Sequence, residues 1–535
     1  MSKNSFLKGA AILGIAGMIT KVLGAFYRIP LSNLMGTEGL GYYQTAYPLY
    51  TLLLAISTSG FPTAISKLIS EKRAVEDYYG ASRIFKISFI GFLIAGVVTS
   101  LFIALFARPI VKLVGNEGGY YALMALVPAL FLVPILSSFK GYFQGKQQML
   151  PIAVSQTVEQ LFRVSAGLPL AYILLKQGLP QAAGGASFGG TIGALAGMAV
   201  IMFAYARERR GRKSEIESSK VYEKEEVSVI AKNIMKIAIP ITIGASIVPV
   251  INNVDTFLIM RRLQDIGYTA KQASEMFGQL TGNAQTLINL PQVISTALAM
   301  SLVPAISEAM ARGKEDEMRK ATKSGIRMTL LFGLPSAIGI FVLATPIMQL
   351  LYYGNTLEEQ LGSGAVLQVL AISLVFLTLI QSLTAILQGL GKPMVPVRNL
   401  VIGLLVKIVL TYVLTGIPAL NIKGAAASTV ITYMVAAVLN YAAVIRLTGS
   451  NIEVKNTVLK PLMASIVMGV VAYGAFYASE GMLGSKLATL VSIAAGGASY
   501  VILLLKSGAV AESDFDMFPK GDKLFKMLKK LKLVK

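Results

Sequence analysis

FQGKQQMLP, residues 143–151, returns as LQGLGKPMVP, residues 387–396. Gln144-Gly145 aligns with Gln388-Gly389, and Met149-Leu150-Pro151 with Met394-Val395-Pro396. A second pair agrees, since Pro62-Thr63-Ala64-Ile65-Ser66 recurs as Pro304-Ala305-Ile306-Ser307. Both pairs are offset by about 241–245 residues, and a shared offset in two separate motifs marks an internal repeat. The longest polar stretch between them, ARERRGRKSEIESSKVYEKEEVS at 206–228, reads as the linker between the copies.

Each copy is built of apolar runs. Of the 535 residues, 54% are hydrophobic and 14% charged, far fewer charges than the roughly one quarter of a soluble domain. Stretches of about twenty apolar residues recur from 6–29 to 485–505, the length of helix that crosses a bilayer core. The short alternating segments of a membrane β-barrel are missing. The expected fold is therefore an all-α polytopic membrane protein of about fourteen spans. A six-helix lobe at 1–205, a cytoplasmic linker at 206–232 and a second six-helix lobe at 233–446 are followed by two additional transmembrane helices at 447–506. An even number of spans per copy makes the repeat parallel, a plan in which transporters place substrate near the midplane between halves. The basic start Met1–Lys8 precedes an apolar run too long for a signal-peptide core, so a retained first helix is expected.

The formal charge of +22 is topological. With the chain starting inside, roughly 37 of the 49 Lys and Arg fall on the inner side and about nine on the outer. Both termini are thus expected in the cytoplasm of a multi-pass membrane protein, and nucleic acid is no partner. The tail 507–535, with its lysines among Leu524, Phe525, Leu528, Leu531 and Val534, reads as a basic amphipathic helix on anionic membrane lipids, or else as a disordered solubilising end. Cysteine, histidine and tryptophan are absent, which removes disulfides, Cys/His metal sites and histidine- or cysteine-based catalysis. No metal, no cofactor and no enzymatic activity is expected, and the chain is read as a monomer.

Charges inside spans are costly and mark candidate sites. The first span holds Lys21 and Arg28, the fifth Glu159 and Arg163, the seventh Asp255 and the eleventh Lys407. Glu159 and Arg163, four apart, can pair. They form either a neutralised structural pair or part of a substrate site. With Gln156 and Gln160 they make a polar stripe that cannot face lipid. Asp255 and Lys407 are expected to face one another as a coupling or structural ion pair. Four basic groups against two acidic ones suit an anionic substrate, with Lys21, Arg28 and Arg163 as its contacts. Asn283, Gln285 and Asn289 offer amides to sugar hydroxyls, or simply bond helix to helix. Pro240 and Pro249 beside Asn252 and Asn253 predict a kinked or partly unwound seventh helix.

Three stretches, FLKGAAILGIAGMITKVLG at 6–24, GYFQGKQQMLPIAVSQTVEQLFRV at 141–164 and QLTGNAQTLINLP…LVPAISEAM at 279–310, resemble the polysaccharide-transporter branch of the MOP exporter superfamily. Within it the chain is similar to the SpoVB/YtgP-type proteins and the MurJ-like lipid II flippases. The resemblance implies two six-helix lobes about a central cavity, with the last two helices beside a groove for a lipid tail. It implies a flippase that carries a polyprenyl-pyrophosphate-linked glycan, most simply lipid II, by alternating access. A spore-cortex, teichoic or capsular precursor, or a cationic drug exchanged by an antiporter, are the other substrates the superfamily suggests. Lys21 occupies the basic position before the VLG of the first helix, and Arg28 is the nearest match to the next one. A further arginine of other branches has no counterpart near Gln285 and Thr286. Where some members hold a coupling cation, Lys407 would place a tethered ammonium, which implies independence from sodium.

Overall fold

The computed structural model describes residues 3–220, 225–450 and 453–508, and the basic tail expected to form a surface helix lies outside them. Every regular element among the described residues is helical. In lipid this is the only open-chain solution, because a helix satisfies its backbone hydrogen bonds within itself. Ten helices are long and apolar enough to cross a membrane, or twelve when two bent pairs are each taken as one span. The fourteen expected spans divide 16–74 and 455–507 into two crossings each. Both stretches carry a central glycine with positive φ, Gly36 at 67° and Gly484 at 74°.

By contacts the chain forms two compact units, Met1–Gln264 with Tyr268–Gly278, and Asp265–Gly267 with Gln279–Lys535. Unit 1 contains α1 (Lys3–Thr58), α2 (Gly60–Ala74), α3 (Tyr78–Val114), α4 (Tyr120–Ala125) and α5 (Val127–Gly145). It continues with α6 (Met149–Leu174), α7 (Leu179–Arg207), α8 (Arg209–Glu217), α9 (Val227–Asp265) and α10 (Ala270–Phe277). Helix α9, which opens the second expected lobe, makes its contacts in unit 1. Ile230, Ile234 and Ala238 join the core around Ile65, Phe85 and Phe143, and Gly60 of α2 lies against the carbonyl of Ala238. The helix also runs unbroken through Pro240 and Pro249, so the expected unwinding does not occur. Asn253 ties the helix to α1, donating to the Pro48 carbonyl and to that of Pro249 on its own helix, both at 2.8 Å.

Unit 2 contains α11 (Gln285–Ala311), entered through a π-helical turn at Gly278–Ala284, and α12 (Glu315–Val342). The short α13 (Ala344–Leu351) leads to α14 (Leu357–Ala371), α15 (Ser373–Gly389), α16 (Met394–Thr415), α17 (Asn421–Thr448) and the long α18 (Lys460–Ser507). Its core gathers Leu302, Ile306, Leu330, Leu383, Ile386 and Val444 from α11, α12, α15 and α17. The repeat motifs serve the same contact in each unit. Gly145 of α5 meets Ile69 and Ser66 of α2, and Gly389 of α15 meets Ile306 and Val303 of α11.

The linker is strapped down. Arg73 at the end of α2 makes a bidentate pair with Glu215 of α8, at 2.9 Å for each bond. Lys146, 8% exposed, bridges Glu208 at 2.9 Å and Glu215 at 3.5 Å. Lys72 holds both Asp77 and Glu225, the latter just before α9. Hydrogen bonds from Arg73, with Lys146 adding, hold the Glu215 carboxyl below its usual range. A depressed carboxyl stabilises the folded state above the unfolded value of about 4.3 and loses that contribution as pH falls through the lower folded value. Glu215→Gln should therefore speed amide exchange in 209–217 several-fold at neutral pH, with the difference from wild type vanishing in strong acid. Equal protection of the two proteins at neutral pH would dismiss the clasp.

Candidate functional site

In unit 1 the polar groups of the spans converge between α1 and α6. Helix α7 fixes the position of α6. Gly185, Gly189, Gly193 and Gly197 form one stripe on α7, and a Cβ on any of them would run into α6 at Leu170, at Arg163 and Gly167, at Glu159 and at Ser155 in turn. Small residues at four-residue spacing let membrane helices approach to backbone contact. Ser155 adds a hydroxyl bond to the Gly197 carbonyl at 2.8 Å. With α7 pressed on one side, α6 turns its stripe of Gln156, Glu159, Gln160 and Arg163 toward α1, where Gln160 approaches Gly24.

Helix α1 answers with aromatic rings. Tyr43 and Tyr47 stack at 5.7 Å, Tyr47 and Tyr50 lie 6.2 Å apart, and Tyr27 meets Tyr43 edge-on at 6.4 Å. The Arg28 guanidinium stands 5.2 Å over the Tyr47 ring, an attractive placement for a cation. Tyr27 closes the back wall by donating to the Ala186 carbonyl of α7 at 2.6 Å. Arg163 reaches Glu159 at 3.3 Å by Nη2, and the two side chains are 12% and 17% exposed. The tyrosine hydroxyls of Tyr43, Tyr47 and Tyr50 lie within electrostatic reach of Arg163, and Arg28 acts on Tyr43 as well. The Nε of Arg163 and the hydroxyl of Tyr50 are buried with no hydrogen-bond partner among the described residues. Buried donors are rarely left so unless water or a ligand meets them.

Of the expected site residues, Arg28, Glu159 and Arg163 thus come together. The Lys21 side chain lies outside the described residues. Asn283, Gln285 and Asn289 belong to unit 2. There Asn283 is fully buried and donates to Ser363 at 3.1 Å, a helix-to-helix bond. Gln285 and Gln292 both donate to Asn289, at 3.1 and 3.2 Å. Asp255 is on α9 in unit 1 and Lys407 on α16 in unit 2, where the residue is 5% exposed and its ammonium donates to Thr429 at 2.6 Å. The tyrosines and the glycine stripe escaped the sequence reading. The four-residue period of GGASFGGTIGALAG at 184–197 is the signal that carries the second.

Unit 2 also holds a groove of about 650 Å³ between α12 and the two limbs of α18. Pro335, Gly339, Met468, Gly496, Gly497 and Leu504 line it. Its hydroxyls are spent on backbone, Tyr500 on Leu331 and Ser336 on Phe332 at 2.7 Å each, and Ser492 on Ala488 at 2.7 Å. What remains facing the groove is hydrocarbon.

The family description "Polysaccharide biosynthesis protein" matches residues 6–310. The chain belongs to that family. A second description, MatE, matches residues 281–413. Stage V sporulation protein B of Bacillus subtilis is 31% identical over 97% of this chain and 98% of its own. The lipid II flippase MurJ of the same organism is 29% identical over 93% and 94%. Among solved structures, lipid II flippase MurJ in an inward closed conformation superposes with a TM-score of 0.68 at 16% identity, covering 92% of this chain and 98% of that one. An inward-facing multidrug resistance MATE family transporter of the MOP superfamily gives 0.66 at 15% identity, covering 80% and 95%. The chain is thus a multi-pass member of the MOP superfamily, a family of transporters and not of enzymes.

The glycine seam makes a sharp prediction. Gly193→Ala puts a methyl group against the Glu159 carbonyl, and overpacking of this kind costs roughly 1–3 kcal/mol. Its melting temperature in detergent should fall, whereas Gly244→Ala, whose new methyl meets nothing within 4 Å, should melt as wild type or slightly higher.

Proposed function

We propose that this chain is a flippase that moves a polyprenyl-pyrophosphate-linked glycan from the inner to the outer leaflet of a bacterial plasma membrane, with lipid II as its substrate. The observation that carries the reading is the convergence of two guanidinium groups, Arg28 and Arg163, on Tyr43 and Tyr47 inside a membrane-embedded unit. Guanidinium presents paired N–H donors that match phosphate oxygens. Tyrosine rings and hydroxyls beside it suit a sugar face. The hydrocarbon groove of unit 2 matches a polyprenyl tail, and the relatives named for lipid II flipping and for sporulation are alike over almost the full chain.

In this cycle the headgroup leaves the inner leaflet, Arg28 and Arg163 take the pyrophosphate, and the lobes at 1–205 and 233–446 rock to release the glycan outside. Lys21 adds a third cation. The amides of Gln285 and Asn289 serve the sugar, with Asn283 holding their helix in place. Both termini and the 206–232 linker are cytoplasmic, and the basic tail from 507 rests on anionic lipid. The chain acts as a monomer. Asp255 and Lys407 are the coupling or structural charges of this reading, and the tethered ammonium of Lys407 replaces a coupling sodium ion.

The same fold carries cationic drugs in MATE transporters, but two arginines beside one glutamate oppose a cationic substrate. A spore-cortex, teichoic or capsular unit shares the pyrophosphate handle and is separated from lipid II only by assay. Two measurements decide. In cells depleted of their own lipid II flippase, the wild type should restore outward lipid II, while Arg28→Ala and Arg163→Ala should each reduce it at least tenfold at equal membrane expression. Gly497→Trp, which fills open space in the groove, should do the same. Failure of the wild type to rescue would reassign the glycan. Flipping in vesicles should be unchanged when sodium is replaced by potassium, and a wild type that stops without sodium would refute the ammonium role of Lys407.

A further inference from the structure

Unit 1 carries another apolar groove, which the proposed transport cycle does not use. It encloses about 360 Å³ between α2, α3 and α9, with Phe61, Ile65, Phe92 and Ile234 among its walls. Its hydroxyls are again satisfied within their own helices. Ser57 bonds the Leu53 carbonyl at 2.9 Å, Ser88 that of Ile84 at 2.7 Å and Thr99 that of Ala95 at 2.8 Å. Along α3 the groove runs from Ile87 to Thr99. At the helical rise of about 1.5 Å per residue this is roughly 18 Å, close to the depth of one leaflet of a core about 30 Å thick. Gly91 keeps it open, since a Cβ there meets nothing within 4 Å.

The end of the groove nearest the linker is cationic, and its cations are unspent. Arg83 lies one turn before Ile87 on the same face of α3. Lys232 follows Ala231 on α9, and Lys236 follows Met235, both lining residues. None of the three has an ion-pair partner among the described residues. The neighbouring acids are already taken. Asp77 and Glu225 bind Lys72, Glu76 binds Lys220, Glu71 binds Lys67 and Glu215 binds Arg73. Among the described residues Glu226 finds no basic partner and accepts from Ser228 at 3.1 Å. A hydrocarbon slot one leaflet deep, with three free cations at its mouth, is chemically complementary to one class of molecule.

We propose that this groove seats an acyl chain of an anionic phospholipid from the leaflet on the linker side, its phosphate held among Arg83, Lys232 and Lys236. The lipid fills the space where α9 stands away from α3 and braces α9 against α2. Basic residues beside an anionic headgroup each contribute about a fivefold preference over a zwitterionic one.

The chain contains no tryptophan, so a single Phe61→Trp substitution gives the full-length protein one fluorophore in the groove wall. In mixed phosphatidylcholine and phosphatidylglycerol vesicles, with one or the other lipid brominated, quenching reports which occupies the groove. Phosphatidylglycerol should be preferred about tenfold or more, and replacing Arg83, Lys232 and Lys236 together by Gln should bring the ratio to near one. Gly91→Leu should lower quenching by both lipids. A tryptophan at Phe162, exposed on α6, should show no preference. Equal binding of the two lipids by the wild type, or a preference that survives loss of all three charges, would overturn the proposal, as would a Gly91→Leu protein quenched like its parent. None of these outcomes depends on which glycan is carried.

Discussion

The backbone contact between α6 and α7 sets the geometry of unit 1. Helices in lipid gain nothing from hiding apolar side chains, because the tails outside are as apolar as the neighbours inside. What holds them is close packing and the satisfaction of polar groups. Four glycines at four-residue spacing bring α7 onto α6 over three turns, and no side chain intervenes. The rotation of α6 about its axis is then fixed. Its lipid-incompatible stripe has one direction to face, and α1 supplies the tyrosines that make that direction tolerable. Loosening the seam by one methyl would move Glu159 and Arg163 together, since both lie directly under it.

The two units handle polarity in different ways. Unit 1 gathers charge, at the linker end in the ion pairs of α2, α5, α7 and α8, and within the spans at Arg28, Glu159 and Arg163. Unit 2 spreads neutral donors and acceptors along its interfaces. Asn399 bonds Asn440 at 2.8 Å, and Thr411 shares a hydrogen bond with Ser428 at 2.8 Å. Lys407 is admitted into this hydroxyl-rich seam by Thr429. Neutral bonds in lipid hold helices with about 0.6 to 2 kcal/mol each and need no counter-ion. Fixed charge is the costlier material, since each buried charge must find a partner or bear its desolvation.

The architecture was legible because hydrophobic run length and repeat offset report it directly. The Gln-Gly glycine of each copy packs on the helix that carries the other motif, Gly145 on α2 at Ile69 and Gly389 on α11 at Ile306. Charge within an apolar run was equally plain, so Arg28, Glu159 and Arg163 were found. Two kinds of feature were not. The tyrosines of α1 look like ordinary span residues until the fold sets them beside Arg163. Helix breaks were read from proline, yet α9 passes two prolines unbroken, whereas Gly36 and Gly484 break α1 and α18. A proline costs one backbone bond, a loss that a slight bend can absorb. A positive φ reverses the chain locally, and only glycine adopts it without strain.

A carrier for a pyrophosphate faces a conflict between capture and release. Two unopposed guanidinium groups in a low-dielectric site would hold such an anion too tightly to let it go, since the attraction grows as water is excluded. The arrangement here is graded. Glu159 engages Arg163 through one nitrogen at 3.3 Å, at the long end for a charged bond, and leaves Nε without a partner. Arg28 shares its charge with the Tyr47 ring. Each cation is thus partly satisfied in the structure, and in the proposed cycle it returns to that partner when the anion leaves. The driving force can then come from elsewhere. An uncompensated negative charge moved outward across an inside-negative potential gains about 2.3 kcal/mol per 100 mV. In the proposed cycle the cations stay fixed to the protein, and the charge that crosses is the substrate's own.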